Sequence, residues 1–457
     1  MQPFGPGFRF DARQTEIRAS SDAPDRLHIR VVDHLENDGD RTLRSLEVRL
    51  PDWPNFGTQN LRVTIAGQEV SPQHTSFTDL RMMSAAFNPS WEQQQTREVA
   101  TEWDLVSGPS SRGTVAASSE GFYIADETAL PLWQAPAGIF AKGGPNPAEE
   151  ILTVFAPPDF RVLAPGTPVN RGTDANTEAQ QFRIRPHKDF LPYVVAGRYR
   201  QQIVRSPKGT VTFLTFRPLD VQAAQTAGAR LSSSMQAFAD FFEPLSEGKT
   251  SDKKTVVRIA EAPGDLPAEF GATNDSGGTS FPEGVLLDSR AVGRGVANES
   301  VLQLAEYELA RTWFGWRVRP IPEAQILMGR GVGLFGLVIA SEARGTAQRR
   351  RLIVSLLDRY DEARGVAADK RLMDFPSAYS RAERVSTGYK AALFFVALED
   401  LCGHDNLRAA FREVVHARSG DEIGYEELRA ELETAAQIDL AEMFRTWMIR
   451  PGIPDSF

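Results

Sequence analysis

Three side chains in one short stretch carry the chemistry most worth asking about in this sequence: Tyr307, Glu308 and Arg311. Tyr307 and Arg311 are four residues apart, which puts them on one face of a helix, with Glu308 pointing just beside them. The set offers a neutral phenol, a carboxylate and a permanent cation. Histidines that could supply metal donors lie elsewhere: His28, His34, His74 and His187 in the first half, His404 and His416 twelve apart near the end. None has ligand spacing with a partner, and each is expected to be a surface or hydrogen-bonded histidine. Cys402, the only cysteine, falls in the apolar run that starts at Tyr389 and reads as a small core residue, so no disulfide within the chain is possible. No G-x-S-x-G elbow is present, and GRGVG at Gly329 to Gly333 lacks the strand, turn, helix and acidic partner of a nucleotide loop.

The elements that must position these residues follow from periodicity. Ser300 and Gln303 have capping-box spacing, Leu302, Ala305, Leu309 and Trp313 supply an apolar face, and Gly315 offers a stop, so a helix is expected from Glu299 to Phe314. Before it, from about Asp25 to Val204, short alternating runs are separated by Gly, Pro, Asn and Asp. Examples are Leu27 to Val32, Leu61 to Val70 with an Ala-Gly turn, Ile151 to Pro158, and Tyr193 to Val204. This is the pattern of an all-β sandwich or saddle-shaped sheet. After Arg205 the character changes: a strand at Val211 to Phe216, a helical pattern from Asp220 to Leu245, strands at Thr255 to Ile259 and Gly284 to Leu287, then helices almost to the end. Two domains are expected, a β-rich one over 1–204 and an α+β one over 205–457. The Gly-, Asp-, Asn- and Ser-rich segment Gly264 to Ser280 marks a loop, either lining a cleft or merely exposed.

The 457 residues, 41% hydrophobic and 24% charged, describe a folded chain longer than one core usually spans. A net charge of -9 has the sign opposite to that of a nucleic-acid binder, and the one basic cluster, Arg349 to Arg351, reads as a solvated face. No apolar run approaches the roughly 18 residues of a membrane span, and no signal peptide is apparent at the start, so a soluble chain of unassigned compartment is expected.

The segment EYELARTWFG, Glu306 to Gly315, resembles the zinc helix of the M1 (gluzincin) aminopeptidases, whose pattern is H-E-x-x-H followed by x-W-F-G or x-W-W-G. The shared frame is Glu308, Leu309, Ala310, Trp313, Phe314 and Gly315. The closing DLAEMFRTWMIRPGIP, Asp439 to Pro454, resembles the family's closing segment. GATND, comprising Gly271, Ala272, Thr273, Asn274 and Asp275, sits where the family carries its G-A-M-E-N substrate loop. The resemblance implies a β-rich N-terminal domain followed by a thermolysin-like α+β domain, with the glycine-rich turn at Gly329 to Gly333 starting the family's second metal helix.

It also implies a site that has lost its metal donors. In the family two histidines at i and i+4 bind zinc, the glutamate beside the first is the general base, and a second glutamate nineteen residues after the second histidine completes the site. Those positions here are Tyr307, Arg311 and Arg330, with only the base, Glu308, kept. Asn274 replaces the glutamate that grips a free amine. The family's catalytic tyrosine falls on Gly388 in one frame and on Tyr389 after a one-residue shift. The expected cofactor is therefore none, with zinc absent, and Glu308 is expected either to pair with Arg311 or Arg330 or to remain as an idle relic pointing into water. Three functions stay open: a non-catalytic peptide- or protein-binding or scaffold module using an interdomain cleft, a metal-dependent aminopeptidase with a non-standard site, and a purely structural subunit.

Overall fold

Leu27, Ile29 and Val31 alternate with polar neighbours, and that two-residue period yields a strand, Arg26–Glu36, in which all three are fully buried. The computed structural model describes residues 9–19, 22–37, 42–49, 56–70, 73–77, 80–107, 115–124, 132–134, 148–174, 177–184, 193–244, 256–264, 266, 277–281, 284–367, 369–374 and 380–454. Arg26–Glu36 lies near the middle of an eight-stranded sheet, between Arg9–Ala19 and Thr96–Ser107, antiparallel to both. The parallel pairing in this sheet joins Arg9–Ala19 to Glu149–Ala156. Phe56–Ile65 and Gln68–Val70 form a hairpin whose turn is made by Ala66 and Gly67, both at positive φ (48° and 79°). That handedness suits the twist of the strands it joins. Two four-stranded sheets accompany the large one.

A charged cluster is buried in this β-rich unit. Arg13 donates through Nε and Nη2 to the two oxygens of Asp33 at 2.8 and 3.0 Å, and Thr15 Oγ1 donates to Glu150 at 3.5 Å. Burial pushes the Glu150 carboxyl up to about 7, with Arg13 opposing and Asp33 adding to the shift. The folded state therefore holds a proton that the unfolded chain releases near 4.5. Glu150's contribution is complete below that value and is lost as pH rises towards 7. Glu150→Gln should leave stability near pH 4.5 unchanged and raise it at pH 8 by up to about 3 kcal/mol, at ~1.4 kcal/mol per pKa unit. Urea unfolding at the two pH values checks this; equal effects at both would place the carboxyl in a wetter setting.

The chain divides into two compact units, Met1–Tyr199 with Ala262–Asp265, and Arg200–Glu261 with Leu266–Phe457. The run Tyr193 to Val204, expected as one strand of the first domain, is two strands. Val194–Gly197 pairs within the first unit, and Arg200–Ser206 pairs with Gly209–Thr215 in the second. Arg198 and Tyr199 belong to neither strand, and the chain passes from one sheet to the other over these two residues.

In the second unit five strands run in the order Arg200–Ser206, Gly209–Thr215, Val256–Glu261, Gly284–Leu287, Gly278–Phe281. The middle three are parallel and the two outer pairings antiparallel. Helices follow: α1 (Val221–Phe242), α2 (Ser289–Gly293), α3 (Glu299–Ala310), α4 (Val332–Glu342), α5 (Thr346–Arg364), α6 (Arg381–Cys402), α7 (His404–Arg418), α8 (Tyr425–Ala436) and α9 (Ala441–Ile449). The helix α1 starts at Asp220, whose side chain accepts from Ala223 N at 2.7 Å. Arg349 to Arg351 lie inside α5. Phe238, Phe242, Trp313, Phe314 and Phe411 pack edge to face or tilted, with ring centroids 5.4–6.1 Å apart, and tie α1, the end of α3 and α7 together. Among the described residues no helix is long and apolar enough to cross a membrane.

Candidate functional site

The helix α3 is shorter than its apolar pattern suggests, and its cap differs. Asn298, rather than Ser300, is the N-cap, its Oδ1 accepting from Ser300 N at 3.0 Å and from Ser300 Oγ at 2.8 Å. Asparagine competes well for this position, and with it as the cap the helix starts at Glu299, the expected first residue. At the other end the α-helical bonding stops at Ala310, so Arg311 is the C-cap residue and Trp313 lies in the turn beyond. Positive charge suits that end of a helix.

Glu308 is fully buried, and Arg311 Nη1 donates to its Oε2 at 2.9 Å. The Arg311 guanidinium carbon is also 5.6 Å from the centre of the buried Tyr307 ring. Tyr307, Glu308 and Arg311 thus form one contiguous group, as their spacing requires. The strand Gly278–Phe281 closes one side: a Cβ on Gly278 would lie 3.3 Å from Leu304 and 3.4 Å from Glu308 Cγ. The first turn of α4 closes another, because a Cβ on Gly333 would meet the Tyr307 ring at 2.6 Å and Arg311 Cγ at 3.0 Å. Glycine is what lets α4 lie this near to the charged pair.

Arg330 sits one turn before Gly333, in a π-helical segment, Gln325–Gly331, that runs directly into α4. Its side chain packs on Gly388 of α6, where an added Cβ would be 3.5 Å from Arg330 Cβ and Cδ. Of the two candidates for the family's tyrosine position, Gly388 is therefore the residue against Arg330, whereas Tyr389 is a buried member of the hydrophobic core of the helices. The next residue, Lys390, is fully buried and donates to the carbonyls of Arg450 and Lys370 at 2.5 and 3.3 Å. Burial pushes its amine down to about 8, against the pull of Asp369 and Asp374. It therefore serves as a tie between α6 and the segment after α9. The loop residues Gly271, Ala272, Thr273, Asn274 and Asp275 lie outside the described residues.

A second buried carboxylate on α3 was not singled out by the sequence pattern. Glu306 accepts from Arg230 Nε and Nη2 at 2.9 and 2.8 Å, from Ser234 Oγ at 2.6 Å and from Arg344 Nη1 at 2.7 Å. Arg230 reaches on to Glu299. Burial alone would lower the Arg230 pKa, but these two carboxylates raise it above its ordinary value. The network borders a cavity of about 410 Å³ whose lining includes Glu306, Ser341, Arg344 and Arg351. A glutamate within an otherwise buried helix is itself a signal, because such a group needs partners from other elements.

The donors at Tyr307, Arg311 and Arg330 do not fit a zinc ion. A guanidinium keeps its proton and has no lone pair to offer, and a phenol is a weak ligand until ionised. No family profile matches the sequence, and no curated protein matches it. Solved structures do. The M1 zinc metallopeptidase of Deinococcus radiodurans, as a glutamate-to-alanine mutant, is 13% identical with a TM-score of 0.68, covering 98% of this chain and 96% of that one. The same mutant bound to a Tyr-Ser-Ala substrate gives 14%, 0.67, 98% and 95%. A two-domain M1 zinc metallopeptidase mutant bound to L-tryptophan gives 13%, 0.67, 98% and 96%. Over nearly its whole length, therefore, the chain has the fold of an M1 zinc metallopeptidase, a β-rich unit followed by an α+β unit.

Proposed function

We propose that this chain is a catalytically inactive M1 aminopeptidase-like protein that binds peptide or protein segments without cleaving them. The observation that carries the reading is the Arg311–Glu308 pair: the one side chain that could act as the family's general base is buried and neutralised by a cation on its own helix. A dication 4 Å from a guanidinium is repelled by about 8 kcal/mol at an effective dielectric of 20. That offsets much of the roughly 10–16 kcal/mol a structural zinc site supplies. Without a metal to polarise water, Glu308 has no nucleophile to activate. Retention of the M1 fold, whose solved examples hold a tripeptide or an amino acid, supports a peptide as the class of ligand.

The test pairs binding with turnover. Tyr-Ser-Ala titrated into the purified chain should give a saturable calorimetric signal, and the tripeptide should be recovered intact after prolonged incubation with added zinc. Aminoacyl p-nitroanilides should likewise stay uncleaved. Hydrolysis that zinc stimulates and Glu308→Gln abolishes would establish the alternative, a metal-dependent aminopeptidase with a non-standard site.

A further inference from the structure

Away from the α3 site, the ends of three helices bring together a different donor set. Glu342 is the last residue of α4, Glu399 lies in the last turn of α6, and His404 opens α7 directly after Gly403, which takes φ 82° to make the corner. One ligand atom from each of the three residues falls within 4.8 Å of the others. His404 Nδ1 is 2.7 Å from Glu399 Oε1 and 3.7 Å from Glu342 Oε2. Four tetrahedral donors held about 2.0–2.1 Å from a zinc ion are roughly 3.4 Å apart, so small side-chain rotations bring all three onto one metal.

The electrostatics of the place also call for a cation. Both carboxylates stand at helix C-termini, the negative end of the macrodipole, where acidic groups are disfavoured; the start of α7 opposes this only in part. Arg349 of α5 supplies one positive charge against two negative ones. Its Nη2 donates to Glu399 Oε2 at 2.6 Å, and its Nε is 3.6 Å from Glu342 Oε2. Because that bond uses Oε2, Glu399 still presents Oε1 to His404, and Arg349 takes the part of an outer group orienting a ligating carboxylate. The imidazole is steadied by an edge-to-face contact with Phe241, ring centroids 5.6 Å apart. The Glu399 side chain is 7% exposed, whereas Glu342 and His404 are 43% and 40% exposed, so an ion can enter from solvent and keep water as its remaining ligand.

We infer that Glu342, Glu399 and His404 form a site for one divalent first-row transition ion of the zinc type, which staples the junction of α4, α6 and α7. Nitrogen plus carboxylate donors select such an ion over magnesium or calcium, which favour all-oxygen shells. On binding, the ion takes the place of the Nδ1 hydrogen: a neutral imidazole meets it as the Nε2–H tautomer with no net proton released, and an imidazolium meets it by giving its Nδ1 proton to solvent. The site is separate from the Tyr307–Arg311 group and stands or falls independently of the proposed function.

The experiment is a titration of metal-stripped full-length chain with Zn²⁺ at pH 7.5 by calorimetry and thermal unfolding, with Co²⁺ as a spectroscopic probe. One equivalent should bind, raise Tm and, with Co²⁺, give visible ligand-field bands. Glu342→Gln and His404→Gln should each weaken binding by roughly 10-fold or more, the scale on which metal sites respond to lost support. Glu342 is partly exposed, so its variant is expected to fold even if the other does not. Arg311→Lys, in the distant site, should leave the affinity unchanged. Absence of saturable zinc uptake, or uptake with the same Kd in wild type and Glu342→Gln, overturns the assignment.

Discussion

Replacing Arg311 by alanine should lower the unfolding free energy by about 3–5 kcal/mol, the usual consequence of stripping one partner from a buried ion pair. Glu308 has no exposed surface, and the Arg311 guanidinium donates to it at 2.9 Å while its stem packs beneath Gly333. Loss of the arginine removes a charge-assisted bond and leaves a carboxylate in a place water does not reach. The double variant Glu308→Gln/Arg311→Ala should recover a large part of the loss, since the buried carboxylate charge is then gone as well. Chemical denaturation of the wild type, both single variants and the double variant closes the cycle. A coupling energy below about 0.5 kcal/mol would mean that the pair contributes little, and the reading of Glu308 as neutralised would go with it.

The second large effect is expected at Glu306→Ala. That carboxylate receives four hydrogen bonds from Arg230, Ser234 and Arg344, and it is fully buried. Removing it sets two guanidiniums facing one another across a cavity, so the cost should again be about 3–5 kcal/mol. Glu306→Gln keeps the shape and two acceptor lone pairs and should cost less. Because Arg230 belongs to α1, Glu306 to α3 and Arg344 to the residues just after α4, amide exchange should accelerate in all three places together. Acceleration confined to α3 would argue against a shared network.

What could be read from the sequence depended on how far apart the partners lie. The pairing of Glu308 with Arg311 is local, three positions along one helix, and so it stood among the expected outcomes beside a pairing with Arg330 and an idle glutamate. Glu306 was equally visible as a residue, but its partners are 76 and 38 positions away, and nothing local names them. His404 is a similar case. Its nearest carboxylate, Glu399, is five positions earlier across a helix break, and Glu342 comes from another helix altogether. The cap of α3 was misplaced because Asn298 and Ser300 both suit an N-cap, and only the backbone decides between them. The expected strand from Tyr193 to Val204 combined residues of two sheets, since an apolar run does not reveal where the chain crosses from one sheet to the next.

The Gly333 contact has a bearing on inheritance. With the α4 backbone pressed on the Tyr307 ring and on Arg311, neither side chain has room to be replaced by something bulkier unless α4 moves as well. Substitution of Arg311 alone strips the buried carboxylate of a charge-assisted bond, and substitution of Glu308 alone strips the guanidinium of the same bond. Positions 307, 308, 311 and 333 are therefore expected to drift as a block: descendants of this chain that alter one should carry compensating changes at the others, and an alignment of its orthologues would record that linkage as covariation.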